Sequence, residues 1–160
     1  MKNKIKLIAG LYLIKKKFLK NQNYYFLKTP KISMIIPKIK DKFLLISQYR
    51  IPVRKKMYEF PGGHIEKGQS AKQTAINELF EETGYKSINV PKKLISIYPD
   101  AGRLDSKYEY FFTNKLIKLS IPEKGIKVHL FTKKKILKLI KSGKFSHSCH
   151  IAAFYFYISK

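Results

Sequence analysis

Gly62-Gly63-His64-Ile65-Glu66-Lys67-Gly68-Gln69-Ser70 runs directly into Ala71-Lys72-Gln73-Thr74-Ala75-Ile76-Asn77-Glu78-Leu79-Phe80-Glu81-Glu82-Thr83-Gly84-Tyr85. The second half of this stretch predicts a helix from Ser70 to Glu82. Ser70 is a good N-cap, and Ala71, Ala75 and Leu79 form an apolar stripe at i, i+4, i+8. Gly84 stands where a left-handed C-terminal residue belongs. The glycines ahead of the helix let a backbone approach a metal or a phosphate closely.

Glu78, Glu81 and Glu82 are spaced i, i+3, i+4 and therefore share one helical face. Like charges at that spacing destabilise an isolated helix by about 0.2–0.5 kcal/mol per pair. They also lie near the helix C-terminus, where the macrodipole disfavours anions. A hard divalent cation, Mg²⁺ or Mn²⁺, would resolve the conflict and could pair with substrate phosphates. A solvated acidic turn paired with neighbouring lysines is the other reading, and on the helix alone the two stand level.

Scarcity sharpens the picture. The chain carries 34 Lys and Arg against 10 Asp and Glu, a net charge of +24. Only Arg50, Arg54 and Arg103 are arginines, and most of the acids fall between Glu59 and Glu109, as do Gly62, Gly63, Gly68, Gly84 and Gly102. The chemistry is expected in the middle of the chain. So basic a protein suits a polyanion such as RNA. Yet the excess is nearly all lysine, whereas arginine dominates bidentate phosphate and base recognition. A Lys-, Ile- and Asn-rich composition also fits an AT-rich coding bias, so nucleic acid is not the expected partner.

Working outward, residues 4–16 and 22–28 read as strands, with turn material at 15–23. Residues 31–39 and 42–49 form a second hairpin about Lys40-Asp41. Strands are expected at 93–98, 107–113 and 127–131. Thr132 caps a basic helix over 133–141 ended by Gly143, and 146–157 is an apolar helix. Mixed elements without regular βα alternation predict an α/β sandwich. With 160 residues, of which 44% are hydrophobic, a single domain spanning 1–160 is expected, with a β-rich part at 1–39 and a core at 40–160. Cys149 is the one cysteine, which points to a reducing, cytoplasmic setting. No apolar run is long enough to span a membrane. Leu7–Ile14 faintly imitates a signal peptide, but Lys15-Lys16-Lys17 stands where a cleavage site should be, so a buried strand is expected.

From Gly63 through Glu78, Leu79, Glu81, Glu82 and Gly84 to Tyr85 the chain resembles the Nudix box, Gly-x5-Glu-x7-Arg-Glu-U-x-Glu-Glu-x-Gly-U, with U a bulky apolar residue. Gln69 replaces the glutamate of the box and Asn77 its arginine. Gln48–Val53, Tyr58–Gly63 and the loop Tyr98–Arg103 are similar to the ADP-ribose pyrophosphatase branch. Val128–Phe131, Ser142–Lys144 and Ile151–Phe154 extend the likeness.

The resemblance implies a Nudix α/β/α sandwich with a mixed sheet and an N-terminal antiparallel sheet that helps build a homodimer. It implies Mg²⁺-dependent hydrolysis of a nucleoside diphosphate sugar, ADP-ribose or a related ADP-sugar, to a nucleotide and a sugar phosphate. Glu78, Glu81, Glu82 and the Gly62 carbonyl would hold the metal, and Arg50 would grip phosphate, with Arg103 a second candidate and Arg54 a weaker one. Glu81 and Glu123 are the catalytic candidates, although Glu123 reads more readily as an exposed turn residue. His64 and His129 are expected to be structural. Without tryptophan, Tyr12, Tyr24 or Tyr25 would stack on the base. A GDP-sugar substrate, or a binding module weakened by Gln69 and Asn77, remains open.

Overall fold

The computed structural model describes residues 4–8, 10–18 and 22–160. Positions 1–3, 9 and 19–21 lie outside the described residues, and with them parts of the strand expected at 4–16 and of the turn expected at 15–23. The chain begins with β1 (Lys4–Ile8), β2 (Leu11–Phe18) and β3 (Gln22–Lys28), all antiparallel. The strand expected at 4–16 is two strands, β1 and β2, with Leu7 and Ile8 exposed rather than buried. β2 runs on to Phe18 because Lys17 and Phe18 pair across the ladder with Asn23 and Gln22.

β4 (Ile32–Ile39) and β5 (Lys42–Arg50) turn at Lys40, whose φ of 54° is left-handed. β6 (Lys55–Glu59) folds back on β5, and β7 (Gly62–His64) pairs with β4. After α1 (Ala71–Thr83) come β8 (Tyr85–Ser87), β9 (Lys92–Ile97), β10 (Leu104–Asp105), β11 (Tyr108–Thr113), β12 (Leu116–Lys118) and β13 (Lys127–Thr132). The helices α2 (Lys133–Lys141) and α3 (Ser148–Ile158) follow. The short β7, β8, β10 and β12 carry too little alternation to be read in advance. The central sheet has the order β13-β5-β4-β11-β9, mixed because β11 runs parallel to β4 while its other neighbours are antiparallel.

The two-residue period of the buried strands sorts the layers. On β4, Ile35 faces Ala75, Leu79 and Phe111 under α1. Met34 and Ile36, one step away on either side, face Tyr110, Ile136, Leu139, Phe145 and Phe154 under α2 and α3. Tyr110 and Phe111 divide in the same way. The result is an α/β/α sandwich, with the N-terminal antiparallel sheet attached through the parallel pairing of β10 on β3. The helices begin as expected: Ser70 accepts from the Gln73 N–H and Thr132 from the Lys135 N–H. Gly84, at φ 71°, closes α1 and returns its N–H to Phe80 O.

A candidate active site at the glycine strand and α1

α1 crosses the start of β7, and this crossing assembles the acidic group. Gly62 N–H donates to Glu82 Oε2 at 2.8 Å. Gly63 lies against Glu78 so closely that an added Cβ would stand 2.0 Å from its Oε1. Only glycine permits that approach. Glu82 is buried, Glu78 half-buried and Glu81 exposed, so the shared face rolls from the core edge to the surface.

Electrostatics make the arrangement costly as it stands. Burial pushes the Glu82 carboxyl up to about 8 against the Gly62 hydrogen bond, with Glu78 and Glu59 adding to the rise. Burial also raises Glu78, followed by the charges of Glu81, Glu123 and Glu66. Among the described residues the ion pairs are Arg50–Glu59, Lys93–Glu109 and Lys107–Glu109, and none reaches Glu78, Glu81 or Glu82. Among the described residues, then, the acidic turn is not paired with lysines.

Among the described residues no three His, Cys, Asp or Glu groups converge as a finished metal cage. The donors nevertheless fit a hard cation: they are all oxygen, two are desolvated, and no ion pair among the described residues reaches them. Glu123 belongs to the same neighbourhood, since its N–H donates to Glu81 O at 3.1 Å and its charge is felt at Glu78. Its side chain is exposed.

Beside the glycines opens a cleft of about 360 Å³. Gly62, Gly63 and His64 form one side, and Ile32, Arg50, Val53, Met57, Glu59, Tyr108 and His147 line the rest. Arg50 donates from Nε to both Glu59 oxygens, at 3.0 and 3.2 Å, and from Nη2 to Oε2 at 2.6 Å. Glu59 is only 2% exposed and also receives Gln48 Nε2 at 3.3 Å. Arg50 thus anchors a buried carboxylate with one edge, while 43% of its side chain stays accessible.

Residues 28–143 match the NUDIX domain family. The chain belongs to the Nudix family. Over 75 residues it is 33% identical to an ADP-ribose pyrophosphatase of Bacillus subtilis (strain 168), covering 47% of this chain and 40% of that protein. Over 43 residues it is 49% identical to an ADP-sugar pyrophosphatase of Mus musculus, covering 27% and 20% of the two chains. The chain thus spans less than half the length of these curated relatives. A solved structure described as an ADP compounds hydrolase superposes with a TM-score of 0.81 at 16% identity, covering 98% of this chain and 89% of the other, which shows the shared Nudix fold.

Of the expected site residues, Glu82 and Glu78 lie against Gly62 and Gly63 while Glu81 stands exposed, and several other positions lie elsewhere. Arg103 is exposed on a loop whose Gly102 and Arg103 N–H groups both donate to Asp100 Oδ1 at 3.1 Å. Its carbonyl accepts from Leu27 N–H at 2.8 Å, tying the loop to the N-terminal sheet rather than to the Arg50 cleft. Arg54 is exposed at the end of a 3-10 turn.

Tyr12 lies under Lys4 Nζ at 3.8 Å, Tyr24 donates its hydroxyl to Gly102 O, and Tyr25 is exposed. None of the three lines the cleft, whereas Tyr108 does. His129 is structural as expected, with Nε2 2.8 Å from Ser47 Oγ and its ring stacked on Phe131. His64 instead stands exposed on the cleft wall. His147, which sequence reasoning passed over, shares that wall.

Proposed function

We propose that this Nudix domain hydrolyses the pyrophosphate bond of a nucleoside diphosphate sugar, with ADP-ribose or a related ADP-sugar as the leading substrate. The observation that carries the reading is a run of three glutamates that no ion pair among the described residues reaches, with Glu78 and Glu82 packed on a glycine strand at the edge of an arginine-bearing cleft. The two pyrophosphatase relatives favour a nucleoside diphosphate linked to a sugar.

Glu78, Glu81 and Glu82, with the Gly62 carbonyl, would hold a divalent cation, Mg²⁺ in the first instance and Mn²⁺ in its place. When bound, the cation supplies charge neutralisation at the pyrophosphate and a more acidic water. Arg50 offers the accessible edge of its guanidinium to phosphate oxygens, while Glu59 fixes its plane. Glu81 and Glu123, on adjoining exposed segments, are the candidates to take a proton from the attacking water. Tyr108 provides an aromatic wall within the cleft.

A homodimer is part of this reading. Ile5, Leu7 and Ile8 on the N-terminal sheet are 49–65% exposed, apolar surface that a second copy would cover. The setting proposed is the cytoplasm, and no helix among the described residues is long and apolar enough to cross a membrane.

The test is a hydrolysis screen over ADP-ribose, other ADP-sugars and GDP-sugars with Mg²⁺, products identified by mass spectrometry. A nucleoside monophosphate and a sugar phosphate are expected. Tight binding without turnover of any of them would replace the enzyme by a binding module, the reading that Gln69 and Asn77 favour.

A further inference from the structure

The chain changes strands at Phe60-Pro61. β6 ends at Glu59, paired to β5, and β7 begins at Gly62, paired to β4, so these two residues belong to neither ladder. Their neighbours on either side carry the candidate chemistry. Glu59 holds Arg50, and Gly62 N–H donates to Glu82 Oε2 at 2.8 Å. Whatever fixes this crossing therefore fixes both halves of the site.

Contacts from β4 and α3 fix it. Pro61 O accepts from Ile35 N–H at 2.9 Å, and Phe60 N–H donates to His150 Nδ1 at 3.3 Å, across 90 residues of sequence. His150 is fully buried, with the rings of Phe60, Tyr110, Phe145 and His147 around it, and its Nε2 has no hydrogen-bond partner. An apolar side chain would fill that space without stranding a polar nitrogen, so histidine there costs stability. What it supplies is an acceptor for the Phe60 N–H, a buried donor that no strand serves. Burial holds His150 well below its ordinary titration range, and the charges of His147 and Arg50 act in the same direction. The imidazole is therefore neutral, with its proton on Nε2 and Nδ1 left to accept.

We propose that His150 is a positioning residue: by accepting the Phe60 N–H it holds the Phe60-Pro61 crossing where Gly62 meets Glu82 and the candidate cation. The inference rests on the metal-binding reading above. Groups that orient a metal's ligands from behind change its affinity about 10–100-fold when they are removed.

His150→Asn, His150→Gln and His150→Leu are compared with wild type. Asn sets an amide oxygen near the position of Nδ1, Gln sets its amide near Nε2, and Leu has no acceptor. Two quantities are read: the Mg²⁺ concentration for half-maximal hydrolysis of ADP-ribose, and the Mg²⁺-induced rise in melting temperature without substrate. Leu and Gln are expected to raise the Mg²⁺ requirement about tenfold and to shrink the melting rise, with Asn within about threefold of wild type. A merely structural role would lower the metal-free melting temperature and leave the Mg²⁺ dependence unchanged. That result, or Asn as impaired as Gln, overturns the inference while a Mg²⁺-dependent wild type upholds the site. A wild type in which Mg²⁺ changes neither quantity overturns the metal reading and the inference with it. If the variants do not fold, ¹⁵N spectra of wild type decide. Nε2-protonated His150, with Nδ1 and the Phe60 amide both shifting as Mg²⁺ is added, supports the inference. A proton on Nδ1, or no Mg²⁺-dependent shift of either signal, overturns it.

Discussion

Arg50 meets Glu59 through three nitrogen–oxygen contacts of 2.6–3.2 Å, although the two belong to different strands and only the glutamate is buried. The pair therefore serves two purposes. It satisfies a carboxylate inside the protein, and it holds a guanidinium flat on the cleft wall. Glu59 also raises the Arg50 pKa, chiefly through the hydrogen bond, so the cation is permanent.

Arg50→Lys should then do more than weaken phosphate binding. Lysine keeps a charge near Glu59 but loses the planar fork. kcat/KM should fall at least about tenfold and the melting temperature by a few degrees. Arg50→Ala leaves Glu59 buried with only Gln48, and should cost about 2–3 kcal/mol. That is below the range for fully buried pairs because Arg50 is partly solvated. Chemical denaturation and steady-state kinetics on the same preparations check both. Full stability in Arg50→Ala would mean that Glu59 does not depend on it.

Glu82 predicts a pH dependence of stability with a definite sign. Its carboxyl is pushed from 4.5 to about 8 in the folded protein. Between those values the metal-free native state holds a proton that the unfolded chain has released. Stability therefore falls as pH rises through the window and levels off above about 8. Bound Mg²⁺ takes the place of that proton, so the Mg²⁺-induced rise in melting temperature should be larger at pH 8.5 than at pH 6. Glu82→Gln should flatten the metal-free profile and lower turnover on the order of 10²-fold. Wild-type turnover in that variant under saturating Mg²⁺ would remove Glu82 from the site.

Gly63→Ala tests the close approach itself. The new methyl would stand 2.0 Å from Glu78 Oε1, so the carboxylate must move. The strand pairing of β7 with β4 has no need of glycine at this φ. The expected outcome is a protein that melts within a few degrees of wild type but needs several-fold more Mg²⁺ for half-maximal rate. An unchanged Mg²⁺ requirement would show that Glu78 acts from another position.

The helix end of the site was legible because its signals are local: the Ser70 cap, the Gly84 stop and the glutamate spacing all lie within one element. The sandwich was legible for a similar reason, since the alternation along β4 and β11 names the two faces. The cleft was not. Tyr108 begins a strand whose next alternate residue, Tyr110, is fully buried, and nothing local says that the first of the pair lines an opening. His147 lies far along the chain from Arg50 and meets it only because α3 packs across the sheet. Arg103 shows the converse failure, for its composition suggested a place at the phosphates and the Asp100 turn ties its loop elsewhere.

Gln69 and Asn77, the two departures from the Nudix box, do not bond to each other. Gln69 donates to Glu66 at 3.4 Å and accepts from Thr74 Oγ1 at 3.1 Å, while Asn77 accepts from Gln73 Nε2 at 2.8 Å. Any coupling between them must act through charge on the shared acidic face. Gln69→Glu alone sets a second carboxylate beside Glu66 and loses the donor that bridges them. Asn77→Arg alone breaks the Gln73 contact and puts a cation next to Glu78, where it competes with Mg²⁺. Each single change should therefore leave the Mg²⁺ concentration for half-maximal rate unchanged or higher. Together the new charges offset one another, and the double variant should bind Mg²⁺ more tightly or turn over faster than the sum of the singles allows. A double-mutant cycle on both quantities reads the coupling directly. Strict additivity would mean that the two amides arose independently and that the face tolerates each on its own.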